Sequence, residues 1–279
     1  MNFIYPLLAI LGENFGKVTE KLAFKKTNIP PPQDIFLSFI IMFVGVLIVI
    51  TTFGHKIPKL SIGLFVLVVV MVIVSYLQNI FEAKGLKAKD LSFREPITDI
   101  KPVLISFLAF ILFPSEREIK YIIGIILGSI ILYFGNRALK QKLNIDKGTI
   151  YTIMAVIFSA ILANIYKLGL ETIPADFLFL FRTGGILILL LLLGKINFSH
   201  LQKRGALYAL TSGLLYLIGS LASLYSIQYL GLNFTIMLML LGPVLIYFLS
   251  YVVLKEKIPP RRIITSILLM IVVLGITFK

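Results

Sequence analysis

One stretch of the chain places several charged side chains directly before an apolar segment. Residues 91–118 read LSFREPITDIKPVLISFLAFILFPSERE, and the apolar part, 102–113, is too short to cross a bilayer alone. If the stretch is one membrane helix, its charged first half must also lie at membrane depth. Charges at that depth are costly unless they face a bundle interior or a water-filled cavity. The stretch therefore marks the predicted centre of a functional site.

Two carboxylates in this stretch are spaced for proton chemistry. Glu95 and Asp99 are four residues apart, which places both on one face of a helix. Two buried carboxylates on one face repel each other and hold a proton more tightly, as a proton-coupled carrier requires. Arg94 and Lys101 add positive charge beside them. In an alternative interpretation, residues 88–101 run along the membrane surface with their charges in water.

Polar side chains also occur within other apolar segments, some at helical spacing. Glu13 and Lys17 are four residues apart in the first segment, and Glu20 follows one turn later. We predict that such groups form one substrate site, in which the cations attract anionic groups and the carboxylates respond to protons. The predicted substrate-binding residues are Glu13, Asn14, Lys17, Tyr76, Asn79, Arg94, Glu95, Asp99, Lys101, Asn164, Arg182 and Tyr216.

Three further residue patterns carry structural predictions. Arg182 lies eight residues into its segment and is predicted to be buried, whereas Lys167 ends its segment and is predicted to extend to the lipid headgroups. Small residues at four-residue spacing are predicted to let helices pack closely. These residues are Gly12, Gly16, Gly124 and Gly128, with the face formed by Ser212, Tyr216, Gly219 and Ser223.

The composition is that of an integral membrane protein. Hydrophobic residues make up 58% of the 279 residues, charged residues only 14%, and the mean hydropathy is +0.99. These values exclude a soluble domain. The formal net charge of +14 is explained by basic loops against anionic lipid headgroups rather than by nucleic acid binding. The expected partners are a small-molecule substrate and membrane lipid, with the chain acting as a monomer or a homodimer.

Signatures of catalysis and of nucleotide use are absent from the sequence. The chain has no cysteine, and its two histidines, His55 and His200, are far apart in predicted loops. These facts argue against a thiolate metal site, a histidine metal centre and a catalytic triad. No glycine run is followed by Lys-Ser or Lys-Thr, so no phosphate-binding loop is present. We therefore expect no enzymatic activity, no metal and no cofactor.

Hydropathy predicts ten apolar segments, each near the length of a membrane-spanning helix. The alternating pattern of a membrane β-barrel is missing, so helices must satisfy the backbone in lipid. The predicted fold is an all-α bundle of ten transmembrane helices. The segments are about 3–22, 34–54, 60–82, 89–113, 119–136, 148–170, 174–194, 204–226, 231–254 and 261–278.

The two halves of the chain share short motifs. Pro102 is followed by Glu116-Arg117, and Pro243 is followed by Glu256-Lys257, at spacings that differ by one residue. The motif Asn-x-x-Lys begins at Asn14 in the first segment and recurs in the sixth. The motif Pro-x-Asp likewise opens both the second and the seventh segment. The chain is therefore predicted to contain two related halves.

Each half holds five predicted helices, and five is an odd number. The second half must then enter the membrane with opposite polarity, which makes an inverted repeat with its site near the membrane midplane. The cavity is predicted to be lined by the first, third, fourth, sixth, eighth and ninth helices. The predicted repeats are residues 1–140 and 147–279.

This pattern resembles the EamA-type transporters of the drug/metabolite transporter superfamily. The matching features are Pro102 with Pro-Ser-Glu-Arg at 114–117, and Pro243 with Lys-Glu-Lys at 255–257. The resemblance implies two repeats of five helices and a cytoplasmic location for both termini. Most basic residues fall in the odd-numbered loops, so the positive-inside rule implies external termini instead. Both orientations remain open at this point.

We predict a secondary transporter of the plasma (inner) membrane that acts as an exporter by alternating access. Its predicted substrate is a small polar or zwitterionic metabolite such as an amino acid, with proton coupling through the carboxylates. The alternative is a flippase or translocase for a phosphorylated lipid or a lipid-linked sugar. A third hypothesis is a membrane-embedded enzyme that acts on lipid-linked substrates.

Overall fold

The computed structural model describes most of the chain, and within the described residues it is helical and has no strands. The described residues are 3–27, 29–53, 57–59, 61–89, 94, 97–136, 146–193, 196, 202–255 and 260–277. The predicted carboxylate Glu95, both histidines and the turn Glu256-Lys257 lie outside them.

The helices follow the predicted segments closely. A short 3-10 turn, Pro114–Glu116, stands between the fourth and fifth helices. The helices are α1 Ile4–Thr27, α2 Pro31–Phe53, α3 Ile62–Ala88, α4 Lys101–Leu112, α5 Ile119–Asn136, α6 Lys147–Leu170, α7 Ala175–Leu192, α8 Lys203–Leu230, α9 Leu232–Met239, α10 Gly242–Val252 and α11 Pro260–Thr277.

Six spans in the described residues are long and apolar enough to cross a membrane, counting α9 and α10 as one span. The helices α4, α5 and α11 are apolar but shorter. Many large apolar side chains on these helices are exposed, among them Phe107, Ile188 and Ile271. Such surfaces suit a lipid environment, because lipid tails are as apolar as a protein interior. The prediction of an all-helical membrane protein is confirmed.

Prolines interrupt the fourth and ninth predicted segments. Pro102 lies in the first turn of α4 and Pro243 in the first turn of α10. Proline has no N–H to donate and its fixed φ suits a helix start, so each helix begins anew at its proline. Within the predicted segment 89–113, α4 has 12 residues, and the described residues 94, 97 and 98 before it are also helical.

Two charged side chains before α4 are buried. The side chains of Arg94 and Asp99 are each only 3% exposed. The surface interpretation of residues 88–101 is wrong for these two residues, because burial removes them from solvent.

Helices from the two halves of the chain pack against each other. Helix α1 packs along α8, α3 along α6, α2 along α7, and α5 along α11. Helices α1 and α8 approach each other closely, because a Cβ added to Gly12 would lie 2.4 Å from the backbone nitrogen of Gly219. Only glycine permits backbones to come this close. The predicted packing role of these glycines is confirmed, and the interior lies between the two halves.

Candidate functional site

A cavity of about 250 Å³ lies between the two halves of the chain. Helices α1, α2 and α3 line it from the first half and α6, α7 and α8 from the second, with the starts of α4 and α10 between them. Among the described residues its lining contains more carboxylates than cations. The charged lining residues are Glu13, Lys17, Glu20, Asp34, Glu82, Asp99, Lys101 and Arg182.

Arg182 is a buried cation on the cavity wall, 8% exposed. Its Nε donates a hydrogen bond of 2.8 Å to Ser75 Oγ. Its guanidinium carbon lies 5.6 Å, 5.7 Å and 5.8 Å from the ring centroids of Phe39, Tyr166 and Phe179. Aromatic faces attract cations, so the three rings hold the guanidinium in place. No carboxylate of the described chain forms an ion pair with it, so the site favours an anionic ligand.

Glu20 is held by a tyrosine from the opposite half. Tyr216 on α8 donates a hydrogen bond of 2.6 Å from its hydroxyl to Glu20 Oε2. A Cβ added to Gly16 would lie 2.8 Å from the Tyr216 ring, so glycine there lets the ring cross α1. Short hydrogen bonds to ionised groups are among the stronger ones in proteins. This bond links α1 to α8 at the cavity wall.

Glu82 is held from two sides. Gln78, one turn earlier on α3, donates a hydrogen bond of 2.8 Å to Glu82 Oε2. Arg94 places a terminal nitrogen 3.5 Å from Glu82 Oε1, and its Nε donates to Thr152 Oγ1 at 3.3 Å. Arg94 itself is absent from the cavity wall. It is therefore a positioning residue for Glu82.

Asp34 is the most deeply buried carboxylate of the cavity wall, at 1% exposure. It lies in the first turn of α2, where the positive end of the helix dipole stabilises a carboxylate. Its Oδ1 has no hydrogen-bond partner among the described residues. The equivalent Asp176, in the first turn of α7, is also fully buried but does not line the cavity.

The structure brings most of the predicted site residues together. Tyr76, Arg94 and Asn164 are buried but do not line the cavity, and Glu95 lies outside the described residues. The predicted residues on the cavity wall are Glu13, Asn14, Lys17, Asn79, Asp99, Lys101, Arg182 and Tyr216.

Three carboxylates of the cavity were not among the predicted site residues. Glu20 continues the stripe of Glu13 and Lys17, so its spacing was a usable signal. Glu82 had a similar signal as a polar residue in an apolar span. Asp34 had none beyond its Pro-x-Asp motif, which is equally typical of a helix start. The second and seventh helices, also absent from the predicted lining, contribute Asp34 and Arg182.

The repeated Asn-x-x-Lys motif has a structural counterpart in both halves. Asn14 and Asn164 each donate a hydrogen bond to the carbonyl four residues earlier, at 2.6 Å and 2.9 Å. Asn164 also donates to Ile105 O at 3.3 Å, just after the Pro102 break. Asn14 lies against Gly242, beside the Pro243 break. Each asparagine thus contacts the proline-interrupted segment of the opposite half.

Lys167, the lysine of the second Asn-x-x-Lys motif, has a different role from the predicted one. Lys167 Nζ lies 3.1 Å from Glu116 Oε1, and only 17% of the Lys167 side chain is exposed. Glu116 also accepts hydrogen bonds of 2.8 Å from the backbone N–H groups of Leu232 and Asn233, the first residues of α9. The prediction that Lys167 extends to the headgroups is wrong, because the buried Glu116 carboxylate provides its counter-charge. The acidic turn of the first half therefore caps a helix of the second.

Comparison with known protein families finds a match in the second half of the chain. Residues 146–278 match the model of the EamA-like transporter family. The resemblance to EamA-type transporters is confirmed. The match covers the second half of the chain and indicates a membrane transporter of this type. The family and the apolar helices support the predicted location, a multi-pass protein of the plasma (inner) membrane.

The fold of this EamA-like chain also occurs in solved structures. One, described only as "Crystal structure of protein", has a TM-score of 0.70 at 13% identity, and the alignment covers 96% of each chain. At that identity the likeness shows a shared fold alone. No curated protein matches the sequence.

Proposed function

We propose that this EamA-type protein is a secondary transporter that exports a small polar or zwitterionic metabolite, such as an amino acid, by alternating access. The observation that carries the proposal is Arg182, a buried cation without a described carboxylate partner, on the wall of a cavity between the halves. Substrate sites of inverted-repeat transporters lie at such an interface. The substrate provides the missing negative charge.

Arg182 is suited to bind a carboxylate. Ser75 accepts from Nε only, and the three aromatic rings hold the guanidinium without neutralising it. A planar guanidinium binds a carboxylate through two parallel hydrogen bonds. The carboxylates elsewhere on the wall suit an amino group of the same substrate. A zwitterion therefore fits the charges of the cavity better than a purely anionic headgroup.

The architecture we propose is ten membrane spans in two inverted five-helix repeats, residues 1–140 and 147–279. Exchanging the two halves would convert the α1–α8 contact into the α6–α3 contact, and both contacts are present. The two asparagine contacts at the Pro102 and Pro243 breaks support the same relation. Such a pair of halves can rock about a fixed central site.

Proton coupling through the cavity carboxylates is part of the proposal. Glu13 and Asp99 line the cavity, and Glu20 on α1 adds a further carboxylate. Glu95 remains a predicted member. Carboxylates that lose their water on closure exchange protons with solvent when the cavity opens. Uptake should therefore respond to an imposed pH gradient.

Counterflow uptake into proteoliposomes tests the proposal. The compounds would be amino acids, nucleosides and sugar phosphates, with and without a pH gradient. Arg182→Gln should weaken apparent affinity for a carboxylate substrate by roughly 10- to 100-fold, since it loses a charge-assisted pair. Arg182→Lys keeps the charge but not the paired geometry and should be intermediate.

Arg117→Gln is the matched control, because Arg117 is exposed and lies over the Phe110 ring away from the cavity. It should transport like the wild type. Equal uptake by Arg182→Gln and wild type would contradict the role of Arg182. Absence of uptake for every soluble compound, together with headgroup flipping in the same vesicles, would favour the lipid flippase.

A further inference from the structure

The cavity contains a second charged anchor, and it constrains the class of substrate. We propose that Asp34 forms a cation subsite separate from Arg182, and that the substrate carries an ammonium group joined to its carboxylate by an extended chain. Diamino acids such as lysine and ornithine, and ω-amino acids, belong to this class. The inference rests on the proposed transport function and specifies the substrate of that same site.

The surroundings of the Asp34 carboxylate favour binding of a cation. Its side chain is 1% exposed and lines the cavity, and its Oδ1 lacks a hydrogen-bond partner in the described chain. Glu20, a second carboxylate, lines the same cavity. A buried carboxylate oxygen without a donor is costly, so a donor from a ligand is strongly favoured.

The neighbouring carboxylates already have donors of their own. Glu20 accepts the hydroxyl of Tyr216, and Glu82 accepts from Gln78 and pairs with Arg94. A cationic ligand group is therefore most strongly favoured at Asp34.

The spacing of the two anchors determines the length of the substrate. The guanidinium of Arg182 lies over the ring of Phe39, which is five residues after Asp34 on the same helix. At 1.5 Å per residue the two levels are roughly 7.5 Å apart along α2. The amino and carboxylate groups of a simple α-amino acid share one carbon, so they cannot reach both levels. A methylene chain can, and Ile35, the residue after Asp34 on α2, is an apolar residue of the cavity wall.

Asp176 is a control that the repeat itself provides. It follows the same Pro-x-Asp motif, occupies the first turn of α7 and is fully buried, but it does not line the cavity. Replacing it removes a buried carboxylate at the equivalent helix start. A general loss of stability should therefore be similar in the Asp34 and Asp176 variants, whereas a loss of ligand recognition should be confined to Asp34.

The experiment is counterflow competition in proteoliposomes with lysine and norleucine, which differ by a terminal ammonium group. Wild-type protein should prefer lysine by about 10-fold or more, the size expected for a charge-assisted pair. Asp34→Asn should lose this preference and Asp176→Asn should keep it. Asp34→Glu should restore it with an optimum shifted to the shorter ornithine, because its carboxylate reaches one methylene further into the cavity.

Two results would overturn the inference. One is equal transport of lysine and norleucine by the wild type. The other is an Asp34→Asn variant that keeps the preference and loses only its response to a pH gradient, which would make Asp34 a proton site. Neither result would contradict the proposed transport function. That function fails separately, if no variant and no wild-type protein takes up any amino acid.

Discussion

Replacing Glu116 with glutamine tests how the two halves are joined. Glu116 is 5% exposed and accepts the N–H groups of Leu232 and Asn233, each at 2.8 Å, while Lys167 Nζ lies 3.1 Å from Oε1. The side chain of Asn233 also donates to the backbone oxygen of Glu116, at 2.6 Å. One carboxylate thus caps α9 and neutralises a lysine of α6.

The expected loss of stability follows from the interactions of the Glu116 carboxylate that glutamine cannot make. Its amide oxygen can accept one of the two N–H groups, so the other remains buried without an acceptor, at about 1–3 kcal/mol. Lys167 also loses its counter-charge, and breaking a buried ion pair costs about 3–5 kcal/mol. Since these effects overlap, we expect Glu116→Gln to lower the free energy of unfolding by about 3–5 kcal/mol.

Unfolding by increasing SDS in mixed micelles, followed by circular dichroism, measures this change. The matched control is Glu118→Gln, two residues away, where an exposed carboxylate pairs with Lys120 at 3.2 Å. Such a surface pair contributes at most about 1 kcal/mol. In the background of Glu116→Gln, Lys167→Met should restore part of the loss, because it removes the unpaired cation. Equal destabilisation by Glu116→Gln and Glu118→Gln would refute the capping role.

Two further predictions concern the packing and the loop ends. Gly12→Ala should destabilise the protein by about 1–3 kcal/mol, because the new Cβ would lie 2.4 Å from the backbone of Gly219. The control in the same SDS titration is Gly275→Ala, which should not destabilise the protein because its Cβ meets nothing within 4 Å. The Lys89 side chain and a backbone N–H lower the pKa of Asp146 at the start of α6 to about 2. The stability that this carboxylate contributes is complete above its pKa in the unfolded chain, near 4, and is lost as the pH falls to about 2. Asp146→Asn should therefore show a flatter dependence of stability on pH in acid unfolding. An unchanged profile would contradict this role.

Local information in the sequence accounts for much of the fold. Apolar runs of spanning length predict the helices, because the backbone must be satisfied within each segment in lipid. The close contact at Gly12 was predicted from the spacing of small residues. The segments around Pro102 and Pro243 were predicted as continuous helices, although the cause of each break is local, since proline acts on the backbone where it stands. The buried position of Arg182 followed from its depth in an apolar segment.

The sequence by itself therefore determined the membrane class and the helical segments, and it identified eight residues that line the cavity. Only the tertiary structure decided that Asp34 faces the cavity while Asp176 does not, and that Lys167 pairs with Glu116 rather than reaching the headgroups. Periodicity states which residues share one face of a helix, but it carries no information about which face meets which helix. Charge partners in this protein come from opposite halves of the chain, and their pairing depends on how those halves pack.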